Sequence, residues 1–198
     1  MGKYTVNDNP AFDNMLDEHM KLISKRCLEL KNSHFIKAIV LMGSYGRGEG
    51  TAYKMTQAYN DYDLVVVGVE MSEKKRQAHQ TQLHKLEIEL GAELAIPVDL
   101  FLHTENSLQR AEFSLMNYEM KHGHMVIYGD EHILDIMPQY ELKKLPLDEG
   151  TRLLLNRGKL LLDIRRFLAK SQISTEEREL IHKFISKNIL AMGDAALI

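Results

Sequence analysis

Asp61 and Asp63 stand two residues apart at the mouth of the apolar run NDYDLVVVGV. Side chains alternate along a strand, so both carboxylates point to the same face. Two carboxylates held that close repel each other unless a positive charge lies between them. Magnesium suits such a pair, because it binds through one or two carboxylates together with substrate phosphates. Asp99 sits inside another apolar run, IPVDLFL, where an acid is costly unless it is paired or metal-bound. A neighbouring strand would bring it beside the first two. Gly43 and Ser44 end the run IKAIVLMGS and open the turn GSYGRGEG. Free backbone N–H groups at such a turn attract phosphate. Gly43 permits close approach, the Ser44 hydroxyl can donate a hydrogen bond, and Arg47 adds positive charge. An anion cradle, a metal-binding acid pair and a third acid together describe phosphoryl-type chemistry.

Rival motifs fit less well. A phosphate-binding loop of the G-x-x-x-x-G-K-[ST] type fails, because Glu49 follows Gly48. A dinucleotide fingerprint needs G-x-G-x-x-G, with its acid after the second strand; Asp61 and Asp63 come before VVV. A tight turn with acids that merely end strands is the plain structural alternative. The joint presence of Gly43-Ser44, Asp61, Asp63 and Asp99 weighs against it. His122 and His124 flank Gly123 with no clear third ligand, which is the pattern of an exposed turn. Arg152, Arg157, Lys159, Arg165 and Arg166 read as a solvated helix face; the alternative is that they help hold nucleotide or an acidic partner.

The elements that must position these residues follow from periodicity. Asn9-Pro10 opens a helix whose stripe is Phe12, Leu16, Met20, Ile23, Cys27 and Leu30. Strands are predicted over Ile36–Met42, Tyr62–Val69, Ile96–Leu102 and Met125–Tyr128, and a surface loop over Thr51–Asn60. Ser72 caps a helix lined by Leu83, Leu86, Leu90 and Leu94. A further helix runs from Asn106 or Ser107 to about Gly123, and a short one ends before Pro138. Past Pro146 no strand signal remains. Asp148–Lys170 is a leucine-rich helix, and Ser174-x-x-Glu177 is a capping box for the last one. Its predicted stripe is Leu180 or Ile181, Phe184, Ile185, Ile189 and Met192. The expected division is an N-terminal helix (1–33), an α/β domain with a mixed sheet (34–145) and a C-terminal helical segment (146–198). The last helix finishes on AMGDAALI, so its apolar stripe is expected to dock on another helix, on a second copy of the chain as a homodimer, or on residues beyond Ile198.

Bulk properties narrow the class. The chain has 198 residues, 44% hydrophobic and 27% charged, an ordinary globular balance. Its net charge of −3, with no basic block, argues against a dedicated nucleic-acid partner. The single cysteine, Cys27, allows no intrachain disulfide and points to a reducing compartment. MGKYTVNDNP lacks an apolar signal region, and Val6 breaks the myristoylation pattern. No run is long enough to span a bilayer. The expected location is the cytoplasm.

GSYGRGEG, NDYDLVVV and PVDLFL in this order resemble the nucleotidyltransferase superfamily of the DNA polymerase β type. The nearest likeness is to its small bacterial members, the minimal and aminoglycoside-type nucleotidyltransferases. KHGHMVIYGD is similar to the family's end-of-domain strand, and the likeness covers roughly residues 34–138. The gap from Ser44 to Asp61 is longer than in the smallest members, with GEGTAYKMTQAY as an inserted loop. The resemblance implies that Asp61 and Asp63 hold Mg²⁺ (or Mn²⁺) on a nucleoside triphosphate such as ATP. It implies that Asp99 completes a two-ion site and helps deprotonate an acceptor hydroxyl. Gly43, Ser44 and Arg47 would hold phosphates. The implied activity moves a nucleoside monophosphate to a small molecule or a protein and releases pyrophosphate. The alternative is a non-catalytic nucleotide-binding or antitoxin-like interaction module, against which the three acids count.

Overall fold

The structure is a computed structural model that describes residues 2–53 and 57–198. It divides into two compact units, one of residues 1–112 and 116–139, the other of residues 113–115 and 140–198.

In the first unit, helix α1 (Pro10–Leu28) starts where the sequence places it. The Asn9 side chain accepts from Phe12 N, and Pro10 takes the first turn, where its missing N–H costs nothing. Strand β1 (Ile36–Leu41) leads into a single helical turn, α2 (Gly43–Gly46). A two-residue pair, β2 (Ala52–Tyr53) and β3 (Gln57–Ala58), follows. The expected surface loop therefore contains a short antiparallel strand pair; residues 54–56 lie outside the described residues. Strand β4 (Tyr62–Gly68), helix α3 (Glu73–Leu94) and strand β5 (Val98–Thr104) form a parallel β–α–β unit. Strand β6 (Met125–Gly129) completes a sheet in the order β5-β4-β1-β6, with β1 antiparallel to both neighbours. The sheet is mixed, as expected.

One face of this sheet builds the core. Ile39, Leu41, Tyr62, Leu64, Val66, Val98, Leu100 and Leu102 are buried with the stripes of α1 (Leu16, Met20, Ile23, Cys27) and α3 (Leu83, Leu86, Leu90). Arg26 joins the two helices through Glu89 (2.5 Å) and Glu93 (2.8 Å). By strict alternation, residues 63 and 99 belong to the opposite face. β5 is an edge strand whose outer backbone groups are taken up by side chains of α3. Gln80 donates to Leu100 O (3.1 Å) and accepts from Leu102 N (3.2 Å), and Glu87 accepts from Leu100 N (2.7 Å). A covered edge cannot recruit another strand.

The single helix expected from residue 106 to 123 is instead two, α4 (Glu105–Gln109) and α5 (Leu115–His122). The break has a cause. Phe113 stacks on Tyr140 with ring centroids 5.0 Å apart, and Leu115 N donates to the Glu149 carboxylate at 2.9 Å. Residues 113–115 thereby join the second unit.

That unit is built on α6 (Asp148–Leu168) and α7 (Thr175–Leu197). The Ser174/Glu177 capping box forms as expected. The stripe on α7 needs correction. The buried positions are Ile181, Asn188 and Ala191, with Phe184 packed near Phe167; Ile185, Ile189 and Met192 are exposed in this chain. Asn188 is tolerated in that seam because its amide donates to Phe184 O (2.8 Å). Among the described residues, no helix is long and apolar enough to cross a membrane.

Candidate active site

Asp63 lies directly opposite Asp99 in the parallel β4–β5 register, with Tyr62 paired to Val98 and Leu64 to Leu100. The two carboxylates therefore rise from neighbouring strands on the same face. Asp61 stands one step before β4. Ligand oxygens of Asp61, Asp63 and Asp99 all fall within 4.8 Å of one another, and each side chain is half-buried. No other acid, histidine or cysteine group of three gathers so closely among the described residues. The Asp99 carboxyl is held above the usual carboxylate range, first by burial and then by the negative charges of Glu87 and Asp61. Three acids crowded this way fit a hard divalent cation, which would relieve the repulsion among them.

The turn after β1 sits against the acids. Met42 N donates to Asp63 O at 2.8 Å. Gly43 has φ of +64°, and a Cβ built there would lie 2.7 Å from Asp63 Oδ2. Only glycine takes that conformation this close to the carboxylate. The Ser44 hydroxyl accepts from Asn60 Nδ2 (2.9 Å), so the turn and the approach to Asp61 are linked. Arg47 is half-buried and engaged with two acids. Its Nε donates to Glu49 (2.8 Å) and its terminal nitrogen to Glu119 (3.2 Å). Reaching a phosphate would mean exchanging these partners. His122 is exposed, as expected, while His124 is half-buried, which corrects the expectation there; neither joins the acid group.

Three residues that the sequence reading passed over shape this site. Asn60 touches Ser44, and its place next to the acid pair in NDYD was visible. Glu87 lies beside the Leu83–Leu86–Leu90 line of α3, and a charge on an apolar seam was a readable signal. Tyr45 makes its contacts through chain segments that no local pattern reveals.

Strand-borne acids, a glycine–serine turn and a mixed sheet backed by two helices define a nucleotide-handling α/β domain of the nucleotidyltransferase type. A family model described as "Nucleotidyltransferase domain" matches residues 20–128, more than half of the chain. The protein belongs to the nucleotidyltransferase domain family and is a transferase. Among solved structures, it is similar to spectinomycin adenyltransferase AAD(9) from Enterococcus faecialis, determined with ATP and spectinomycin. The TM-score is 0.50 and the identity 11%, over 89% of this chain and 90% of that one. At that identity the likeness concerns the fold. No curated protein matches the chain.

Proposed function

We propose that this chain transfers a nucleoside monophosphate from a nucleoside triphosphate to an acceptor hydroxyl in a metal-dependent reaction. The observation that carries the reading is the convergence of Asp61, Asp63 and Asp99 within 4.8 Å beside the Gly43–Ser44 turn. Asp61 and Asp63 would hold Mg²⁺ or Mn²⁺, and Asp99 would complete the site for a second ion. When bound, such ions neutralise charge on the triphosphate and on the attacking and leaving oxygens. The Gly43 turn and Ser44 Oγ hold the outer phosphates, and Arg47 is a further candidate once released from its acids. Asp99 receives the proton of the acceptor hydroxyl. The new bond joins the acceptor oxygen to the α-phosphorus, the α–β bridging bond breaks, and pyrophosphate leaves. Burial and two neighbouring acids raise the proton affinity of Asp99, which suits a proton acceptor.

ATP is the first nucleotide to try, because the structurally similar adenyltransferase was determined with it. The acceptor is a small molecule or a protein bearing a hydroxyl, not a nucleic acid. Buried, unpaired Cys27 supports a reducing cytoplasm. Exposed Ile185, Ile189 and Met192 on α7 support a homodimer through the C-terminal helices. The test is calorimetry with ATP, GTP, CTP and UTP, with Mg²⁺ and then with EDTA. Metal-dependent binding of at least one is expected. Equal binding with and without metal, or no binding of any, refutes the proposal.

A further inference from the structure

The stretch between Ser44 and Asp61 separates the two halves of the proposed site, and one buried hydroxyl closes it. Tyr45 is 1% exposed. Its hydroxyl donates to Thr51 O (2.8 Å) and accepts from Tyr59 N (2.9 Å) and Asn60 N (3.3 Å). One donor and two acceptor sites are all that a phenol offers, so its capacity is full. Tyr59 N also reaches Thr51 O directly, at 3.2 Å. The entry and exit of the loop are thus tied at one point. Asn60 then does two things. Its side chain donates to Ser44 Oγ, and the next residue is Asp61.

The ring that carries this hydroxyl is packed between the core on one side and Gly50 of the loop on the other. Tyr62 meets it edge-on with centroids 5.5 Å apart, and Phe12 of α1 lies at 6.4 Å. Gly50 passes so close that a Cβ there would lie 2.1 Å from Tyr45 Cδ1. Burial raises the phenol's pKa, so it stays protonated and keeps its donor at neutral pH.

We propose that Tyr45 is a positioning residue for the transfer reaction: its hydroxyl clamps the neck of the Ser44–Asp61 loop and so fixes the phosphate turn relative to the acid pair. The proposal rests on the nucleotidyl-transfer reading given above. It explains how a long gap can separate Ser44 from Asp61 without loosening either. The clamp sets their spacing whatever the number of residues beyond the neck.

Tyr45→Phe keeps the ring and removes the hydroxyl. Tyr62→Phe is the control, because it too removes a hydroxyl from a ring packed on Tyr45, but one that meets His19 Nδ1 of α1 (2.8 Å). Two readouts apply to the folded variants. Amide hydrogen exchange at Tyr59 and Asn60 should speed up about tenfold or more in Tyr45→Phe and stay near wild type in Tyr62→Phe. The dissociation constant of Mg²⁺–ATP by calorimetry should rise about tenfold in Tyr45→Phe only, while Mn²⁺ alone, measured by electron paramagnetic resonance, shifts less than about threefold. A merely structural tyrosine would lower the melting temperature and move neither ratio. Unchanged exchange at Tyr59 and Asn60, unchanged ATP affinity, or equal losses in both variants would overturn the proposal. If Tyr45→Phe does not fold, Asn60→Ala cuts the link to Ser44 and leaves the core intact. It should weaken Mg²⁺–ATP several-fold, and wild-type affinity there would likewise overturn the clamp. A wild-type protein that binds no triphosphate would refute the nucleotidyl-transfer reading, and exchange at Tyr59 and Asn60 would still decide whether the clamp exists.

Discussion

Asp99→Asn separates charge from shape at the centre of the site. The substitution keeps the size of the side chain and removes one of three acids that crowd within 4.8 Å. Two unit charges at that distance repel by about 3 kcal/mol at an effective dielectric near 20, and by about 1 kcal/mol in bulk water. These half-buried carboxylates lie between the limits. In metal-free protein the substitution should therefore raise the melting temperature by several degrees at pH 7, at about 2–4 °C per kcal/mol. The sign with pH is fixed by the raised pKa of Asp99. An acid with a raised folded pKa favours folding below its unfolded pKa, and that contribution is lost as pH rises through the folded value. The gain from the substitution should thus be present at pH 7 and fade as pH falls through the raised Asp99 pKa towards 3.8. Activity should move the other way. Transfer should fall about a hundredfold or more, the range typical for losing a positioned general base, with Mg²⁺–triphosphate binding within a few-fold. Thermal melts in EDTA across pH 4–8, beside pyrophosphate release, measure both. A variant that is more stable and fully active would remove Asp99 from the chemistry. A destabilised variant would refute the electrostatic reasoning.

Gly43→Ala forces a Cβ onto the Asp63 carboxylate at a positive φ, so it should cost about 1–3 kcal/mol by chemical denaturation and abolish triphosphate binding by calorimetry. Glu87→Gln keeps an acceptor for Leu100 N and should stay within about 1 kcal/mol of wild type, whereas Glu87→Ala orphans that N–H and should lose about 1–3 kcal/mol. Cys27 is fully buried with its thiol pushed up to about 12, so a thiol reagent at pH 8 should label it only after denaturation.

The site was legible because its logic is local. A two-residue spacing puts Asp61 and Asp63 on one strand face, and an acid inside an apolar run marks Asp99 as needing a partner. That Asp63 and Asp99 stand in register depends on the parallel β4–β5 pairing, which periodicity suggests but does not align. The first helix was equally plain, since Asn9, Pro10 and the Phe12–Cys27 stripe all agree. The break at residues 110–114 was not, because Phe113 and Leu115 are drawn off by Tyr140 and Glu149, more than twenty residues away. On α7 the apolar residues nearly encircle the helix, so the sequence offered two stripes. The face that packs on α6 includes Asn188, which an apolar count passes over. The Tyr45 network joins Ser44, Thr51, Tyr59 and Asn60 across the loop and has no periodic signature at all.

The central claim is that the nucleotide's α-phosphorus moves to an acceptor in a reaction that needs the acids and a divalent ion. The most direct measurement is parallel incubation of the protein and a cell extract with ATP labelled at either the α- or the γ-phosphate, then with the other triphosphates likewise. Nucleotidyl transfer predicts that label from the α-position appears on an acceptor, that label from the γ-position appears only in pyrophosphate, and that EDTA or Asp63→Asn abolishes both. Label from the γ-position on the acceptor, or transfer that persists in EDTA, would contradict it.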